Sequence, residues 1–501
     1  MNKLIYLICI GLTFNVVLSQ EIPDAVRYAQ DNLNGTARFR AMGGAFGALG
    51  GDLSALNVNP AGSAIFSNNQ LAVTLSNFGT KNKSDYFGTK TEASNNSFDL
   101  NQAGAVFVFK NQNQTSDWKK FSLSINYENA NNFDTSVFSA GKNPTNSVAN
   151  YFLSYAQGVS LDVLENSTYG ELDNGGQQAF LGYQGYVINP RNPTNPNNTQ
   201  YDSNVTPGGN YFQENSIYAN GYNGKLSFNA ATSYKDKLFL GINLNSHFAD
   251  LVQSSSFYEY NNNTLTTNHT VNSLRFDNNL YTYGTGFSFQ IGAIAKATKE
   301  IRLGLAYESP TWYTMNDELS QKLVAVSEST VSQLAPDVVD PNLINYYAPY
   351  QISTPSKFTG SFAYIFGKTG LISIDYSLKD YSSTKFQPQN DPYFRNLNSE
   401  MKTILASSGE LRIGAEYKIK ALSLRGGYRF EESPYKNGTT IGDLNSFSGG
   451  FGYNFGSFKL DLAYSNTQRD SQQGFFTQGF TDGAKINTLN NNVSLTLLFE
   501  L

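Results

Sequence analysis

From about residue 70 onward, apolar side chains take every second position in a long succession of short segments, the period of a strand with two unlike faces. In the segment from Ile301 to Glu308 one face holds Ile301, Leu303, Leu305 and Tyr307, and the other Arg302, Gly304, Ala306 and Glu308. Leu411, Ile413, Ala415 and Tyr417 stand against Arg412, Gly414 and Glu416. Leu422, Leu424, Tyr428 and Phe430 oppose Ser423, Arg425, Gly427 and Arg429, and Phe458, Leu460, Leu462 and Tyr464 oppose Lys459, Asp461 and Ala463. A soluble sandwich also alternates, but its polar face meets bulk water, where long Lys and Glu side chains dominate. Here that face is glycine, alanine and single ions, as in a crowded interior. The apolar face often ends in Tyr or Trp, as at a lipid–water boundary. The pattern favours a membrane barrel with its apolar face outward over a secreted sandwich or solenoid.

Fourteen strands are readable, near Leu71–Phe78, Phe98–Lys110, Trp118–Glu128, Gly224–Tyr234, Leu238–Val252, Gly284–Ala297, Ile301–Trp312, Lys357–Phe366, Leu371–Tyr381, Glu410–Ile419, Ala421–Glu431, Phe447–Phe455, Phe458–Ser465 and Asn491–Leu501. An even number suits a bacterial barrel, and so does the alternation of short turns with long loops. Both chain ends are expected on the short-turn, periplasmic side. The long connections, 129–224, 313–356 and 382–409, are rich in Asn, Gly, Ser, Thr and Tyr. Val148, Phe152 and Tyr155 have helical spacing within the first, and a short helix is predicted over residues 319–334 in the second.

Charge and hydropathy narrow the function classes. Only 15% of residues are charged, 14% are aromatic and the mean hydropathy is -0.37. No segment after residue 19 approaches the run of about 18 apolar residues that a spanning helix needs. The net charge of -5 offers no basic surface for nucleic acid. Met1 to Ser19, with Lys3 and the apolar run Leu4 to Leu12, reads as a secretory signal. Its removal takes away the single cysteine, Cys9, and leaves 34 basic against 40 acidic residues. No thiol nucleophile, disulfide or cysteine metal ligand is then expected. The two histidines, His247 and His269, show no metal-ligand spacing. His247 follows Ser246, but neighbours on a strand point to opposite faces, so both histidines read as exposed strand or loop residues. No catalytic residue, metal or cofactor is predicted.

Residues 20–69 have a different texture. The run Ala41-Met42-Gly43-Gly44-Ala45-Phe46, the element Gly51-Asp52-x-Ser54-Ala55 and the motif Asn59-Pro60-Ala61-Gly62 are dense in small residues that permit close backbone packing. No G-x-G-x-x-G spacing or βαβ unit accompanies the glycines. Asp52 or Ser54 is expected to cap a short helix over Leu53 to Asn57, and Asn59-Pro60 to make a turn. These motifs resemble the N-terminal hatch of the FadL/TodX outer-membrane transport family. Leu303-Gly304-Leu305-Ala306-Tyr307-x-Ser309-Pro310, Thr354-Pro355-Ser356-Lys357, Leu411 to Tyr417 and Leu424-Arg425-Gly426-Gly427-Tyr428 follow in the family's order.

The resemblance implies an all-β transmembrane antiparallel barrel of fourteen strands (70–501), plugged by an N-terminal hatch (20–69), in the bacterial outer membrane. It also implies passive uptake of long-chain fatty acids or other hydrophobic compounds, with release sideways through the wall. Hatch or gate residues would be Gly43, Gly44, Asp52, Asn59, Pro60, Ala61 and Gly62. Candidates to contact ligand are Phe152, Tyr155 and Trp312 in the outer groove. Inward Arg302, Arg412, Arg425 and Arg429 are candidates for a ligand carboxylate. Outer-membrane lipid, a hydrophobic small molecule such as a fatty acid, and the barrel-assembly machinery are the implied partners. The last strand ends on Leu501 with Phe499 two places earlier. Alternatives stand beside each reading: inward Arg and Glu also pair across a lumen to stiffen it, a plug can be static, and loop aromatics can pack loops. A surface-exposed binding, adhesion or haemin-binding barrel without transport is the second functional reading.

Overall fold

The computed structural model describes residues 20–113, 115–328 and 334–501. The predicted signal lies outside the described residues. Fourteen antiparallel strands close into a barrel: β1 (Gln70–Tyr86), β2 (Thr89–Lys110), β3 (Trp118–Asn132), β4 (Tyr211–Tyr234), β5 (Leu238–Tyr260), β6 (Val271–Lys296), β7 (Ile301–Glu308), β8 (Lys357–Phe366), β9 (Gly370–Asp380), β10 (Ser407–Ile419), β11 (Leu422–Glu431), β12 (Ile441–Asn454), β13 (Phe458–Gly474) and β14 (Gly483–Glu500). The ring shuts where β1 pairs with β14, from Gln70↔Glu500 to Asp85↔Lys485. Among the described residues no strand of the ring is left without a neighbour on both sides, as a wall in hydrocarbon requires.

The alternating residues face as the pattern requires. Leu71, Val73 and Leu75 on β1 and Phe121, Leu123 and Ile125 on β3 are exposed on the outer face, where lipid covers them. Thr74, Ser76, Ser122 and Ser124 between them are buried inside. Aromatic side chains gather near the short turns, among them Phe109, Trp118, Phe366, Tyr417, Tyr453 and Phe455.

Several strands run further than the sequence pattern indicates. β1, β2, β4, β5, β6, β13 and β14 all continue beyond the lipid-facing band into Asn-, Ser- and Thr-rich stretches. There both faces meet polar surroundings, so the apolar period fades while the hydrogen-bond ladder continues. Where a helix is expected over 319–334, residues 319–327 are strand and 329–333 lie outside the described residues: Trp312–Ser327 pairs with β6 from Trp312↔Phe287 to Ser327↔Val271. Its Leu323 and Ala325 are buried inward, which is period two and not helical spacing. The predicted strand 301–312 is broken at Ser309-Pro310-Thr311, because proline cannot donate to a ladder. Above the break, Tyr350–Ser353 pairs with Trp312–Met315, and Thr354-Pro355-Ser356 breaks the neighbouring strand in the same way.

The outer loops are ordered. Helix Ala149–Ala156 forms where its spacing predicts, and packs with Asn174–Gln184 over the tall side of the barrel. Helix Pro392–Ile404 covers the opposite side.

Inside the bore lies the segment 20–69. It begins with α1 (Ile22–Ala29) and α2 (Ala37–Ala41) and ends in two 3₁₀ turns, Ser54–Asn57 and Pro60–Ile65. One expectation is corrected. The barrel's own ends meet on the short-turn rim, where Leu501 N donates to Asn69 O at 3.0 Å. Gln20, however, rises to the loop layer, where Tyr393 donates to its carbonyl at 2.6 Å.

Candidate functional site: hatch, ion belt and wall seam

The hatch is seated by backbone contact. Thr36 caps α2, accepting from Phe39 N at 3.2 Å and donating to Asp52 at 2.8 Å. Asp52 also accepts from Ser54 N at 2.9 Å, which opens the first 3₁₀ turn as the sequence suggests. Gly43, at φ +62, donates to Ser448 Oγ at 3.1 Å. Asn59 holds the second turn: its Nδ2 donates to Gly47 O at 2.8 Å and Ala293 O at 3.0 Å, and its Oδ1 accepts from Ala61 N at 3.1 Å. Pro60 therefore opens a 3₁₀ helix instead of a simple turn, at the position where its missing N–H costs nothing. Gly62 and Gly44 complete the close packing, Gly62 O accepting from Gly51 N at 3.2 Å and Gly44 N donating to Phe39 O at 3.0 Å. The last barrel strand joins in, with Thr496 Oγ1 accepting from Ala37 N at 2.7 Å.

Glycines on the inner wall now have a reason. A Cβ on Gly427 would lie 2.2 Å from Gly43 N, one on Gly414 2.4 Å from Met42 O, and one on Gly304 2.3 Å from Gly47 O. On the other side, a Cβ on Gly292 would lie 2.1 Å from Asn59 Oδ1. The hatch backbone lies directly on wall backbone.

Charged side chains supply the second layer of attachment. Glu416 accepts from Arg38 at 2.9 Å and from Arg425 at 2.7 Å, and Arg425 also reaches Asp461 at 2.5 Å. Arg412 and Arg429 stand opposite each other across β10 and β11, a like-charge pair. Glu410 resolves it by accepting from both, at 2.8 and 2.5 Å. Arg429 further meets Glu431 at 2.6 Å and the carbonyl of Asp31 at 2.9 Å. Lys357 and Lys379 both grip the Asp31 carboxylate at 2.8 Å. Three of the candidate ligand-binding arginines, Arg412, Arg425 and Arg429, are thus engaged in ion pairs that stiffen the wall. Arg302 donates to Leu49 O at 2.8 Å and keeps a buried Nε without a partner among the described residues.

Titration follows from this arrangement. Burial would raise the Asp31 carboxyl, but Lys357 and Lys379 outweigh it and hold the group well below the ordinary carboxylate range. Burial, only partly offset by Arg38 and Thr36, pushes Asp52 up. Arg40, whose guanidinium donates to the hydroxyls of Ser76 and Ser465 at 3.3 Å and lies over the Phe78 ring, is lowered by burial to about 10. A carboxyl whose folded pKa is depressed lends stability that is complete above its unfolded value near ~4 and is lost only as pH falls through the folded one. The stretch around Asp31 is therefore expected to stay docked at about pH 5 and to loosen only below about pH 4. Hydrogen exchange of its amides as a function of pH checks this. D31N should be loosened already at neutral pH, with no further change on acidification.

The wall carries a seam. β2 pairs with β3 only from Gln102↔Glu128 to Lys110↔Lys120. Beyond Glu128 the backbone ladder between β2 and β3 stops, bridged only by side chains such as Asn132, whose Nδ2 donates to Ser97 Oγ at 3.0 Å and to Asp99 at 2.7 Å, and Thr135–Asn143 forms its ladder with β4. That segment lies inside β1, bridged by side chains such as Asn82 to Thr135 at 2.8 Å and Ser84 to Ser139 at 2.6 Å. Hatch residues 32–35 fill the place where the ladder fails. Gly35 N donates to Asn101 Oδ1 at 2.6 Å, Asn101 Nδ2 donates to Asn34 Oδ1 at 3.4 Å, and Asn34 Nδ2 donates to Asn129 O at 2.5 Å. Asn32 donates to Asn131. Gly35, at φ +113, has no room for a side chain: its Cβ would fall 2.2 Å from Ser54 Oγ.

Above the hatch, α1 buries Ile22, Ala25 and Val26 against Phe133, Tyr313, Met315, Ile352, Phe386 and Met401. Beneath α1 is a cavity of about 40 Å³ lined by Tyr28, Asp31, Lys225, His247, Glu308 and Lys357, among others. His247 is buried there, with Nε2 at 2.8 Å from Ser288 Oγ, and is not the exposed strand residue the sequence suggests; His269 lies in an outer loop. Phe152 is fully buried in the loop cluster, its ring 5.4 Å from Phe276, and half-buried Tyr155 packs on Tyr151 at 5.2 Å. Trp312 faces outward and stacks on exposed Phe287 at 6.5 Å, because register gives the inward position to Tyr313. It lines no inner groove. Of the inner aromatic wall, Phe133, Tyr313 and Tyr350 lie in stretches that read as loop and Tyr28 in the hatch, and the Ser309-Pro310 and Thr354-Pro355 pairs are the signals that mark its lower edge.

A profile described as outer membrane protein transport protein (OMPP1/FadL/TodX) matches residues 194–492, more than half of the chain. No curated protein matches. Among solved structures, a Pseudomonas aeruginosa FadL homologue superposes with a TM-score of 0.52 at 13% identity, covering 94% of this chain and 99% of that one. The toluene transporter TodX of P. putida superposes at 0.51 and 14%, with 94% and 99% covered. A TodX monoaromatic hydrocarbon channel deltaS2 mutant gives 0.53 and 14%, covering 94% and 100%. At such identities these likenesses show a shared fold.

Proposed function

The chain belongs to the OMPP1/FadL/TodX family of outer-membrane transport proteins, and from that premise we propose that hydrophobic compounds enter through its outer loops and leave sideways through the seam between β2 and β3, with hatch residues 32–35 as the gate. The observation that carries this reading is the failed ladder beyond Gln102↔Glu128 together with the amide contacts that fill it. A wall opening that was only a defect would expose unpaired backbone groups to lipid, at several kcal/mol each. Here the missing ladder partners are replaced by Asn101, Asn34 and Asn131, whose side-chain bonds break and reform at about 1 kcal/mol apiece.

The route begins in the aromatic layer around α1, a surface suited to an uncharged or weakly polar body. A fatty acid and an aromatic hydrocarbon both fit this description. TodX is a toluene transporter and monoaromatic hydrocarbon channel, and the aromatic inner wall favours including such compounds here. We read the protein as a passive channel with no enzymatic step. Asp52, Asn59 and Pro60 belong to the fixed part of the plug in this scheme, and the movable part is the stretch before α2.

Asn101 tests the gate. Asn101→Ala removes two contacts to residues 34 and 35, so opening should become easier and uptake of labelled toluene and labelled fatty acid should rise roughly three- to tenfold, the equivalent of about 1 kcal/mol. Uptake unchanged or lowered in a variant that still reaches the membrane would count against the seam as the exit.

A further inference from the structure

In an acidic chain the short-turn rim is basic. The turn regions 110–120, 235–237, 296–300, 367–369, 418–421 and 454–459 together hold eleven lysines and three acids, Asp117, Asp236 and Glu300. Some of these lysines are occupied: Lys235 pairs with Asp117 at 3.3 Å, Lys459 with Glu500, and Lys120 donates to Phe66 O at 2.7 Å. Five others, Lys110, Lys237, Lys299, Lys368 and Lys420, are exposed, and their ammonium groups make no hydrogen bond or ion pair among the described residues. Each belongs to a different short turn, so five of the six such turns carry one unpaired ammonium. Exposed aromatics stand beside them on the wall, Phe109 near Lys110, Phe366 near Lys368 and Tyr417 near Lys420.

This distribution fits a plane. Five like charges around the whole circumference, level with one another because the turns are short, repel each other and gain nothing from the protein. An acidic protein partner would need the charge gathered on one side, whereas a leaflet surrounds the barrel and meets every turn equally. The aromatic rings just above set the depth at which the ammonium groups emerge, at the headgroup layer. We propose that this lysine ring binds the phosphate groups of anionic phospholipids in the inner leaflet of the outer membrane, collecting them around the periplasmic end of the barrel. The inference rests on the orientation of the barrel and not on the transport route.

Trp118 provides the probe. It lies on this rim, exposed, and the only other tryptophan is Trp312. In a W312F background, reconstituted into vesicles, quenching of Trp118 by brominated phosphatidylglycerol is compared with quenching by brominated phosphatidylcholine. The ring predicts a relative binding constant of roughly threefold or more for the anionic lipid, since a lysine near an anionic surface contributes up to about fivefold. The combined variant K110Q, K237Q, K299Q, K368Q and K420Q should bring the ratio to about one, and arginine at the same five positions should restore it. Folding of each variant is checked by the heat-dependent shift of the barrel on gels. A ratio of one in the unsubstituted ring would overturn the proposal and leave the rim to an acidic periplasmic partner. A preference that survives removal of all five charges would overturn it as well.

Discussion

A barrel carrying Asn34→Cys and Asn101→Cys, joined by a short reducible thiol crosslinker, is expected to take up no labelled toluene or fatty acid until reductant is added. The two amides already touch at 3.4 Å, so the crosslink fixes the observed arrangement without forcing a new one. Cys9 is the only native cysteine and lies in the predicted signal, so no other thiol of the exported chain competes. The unlinked double variant has lost the same contacts as Asn101→Ala and should transport faster than the parent. Crosslinking then turns a fast channel into a closed one within the same molecule. Transport that persists through the closed crosslink would remove residues 32–35 from the gate and the seam from the route.

Loss of Glu416 should be the most damaging single change to the seating of the hatch. Its side chain is 1% exposed and holds Arg38 of the hatch and Arg425 of the wall. Arg425 keeps Asp461 and Arg38 keeps the carbonyl of Gly51 at 3.2 Å, but both guanidinium groups lose their shared carboxylate in a dry site. Breaking a buried pair by removing one partner costs about 3–5 kcal/mol. Glu416→Ala is therefore expected to free α2, seen as protease cleavage between residues 36 and 44 in an intact barrel and as ion conductance in planar bilayers. Glu416→Gln should lie between, since the amide still accepts one hydrogen bond. Lys418, which meets Glu416 from the exposed side at 3.5 Å, serves as the control. Its substitution by alanine should change stability by less than about 1 kcal/mol.

The wall was largely legible in the sequence because lipid on one side and a packed bore on the other leave period two as the only solution. Gly304, Gly414 and Gly427 were visible as an odd choice for a polar face, and the hatch explains them. That inward arginines such as Arg412, Arg425 and Arg429 pair with wall carboxylates such as Glu416 was open as one of two readings; Glu410, the partner of Arg412 and Arg429, was not singled out. Strand spacing alone cannot say whether an inward guanidinium meets a wall carboxylate or a ligand. Trp312 was misplaced because the break at Ser309-Pro310-Thr311 shifts the alternation by one residue, so that odd positions such as Leu303 and Leu305 face outward below it and Trp312 faces outward above it; a residue between two candidate elements has no facing until register is known. The seam was least legible. A ladder that stops leaves no mark on the strands that fail to pair, and the only local trace is the run Asn126, Asn129, Asn131 and Asn132, side chains able to stand in for a missing neighbour.

The bond from Ala37 to Thr496 joins residues near the two extremes of the chain. Since Gly414, Gly427 and Thr496 all belong to late strands, the first segment exported has to wait for its floor to be built. A cylinder that sealed beforehand would need that whole segment to thread through a mouth already crowded with side chains. Staves drawn up around a stopper that is present first avoid this, so the β1–β14 closure is expected to follow the seating of the hatch, and a damaged stopper to be felt as barrels that do not finish sealing.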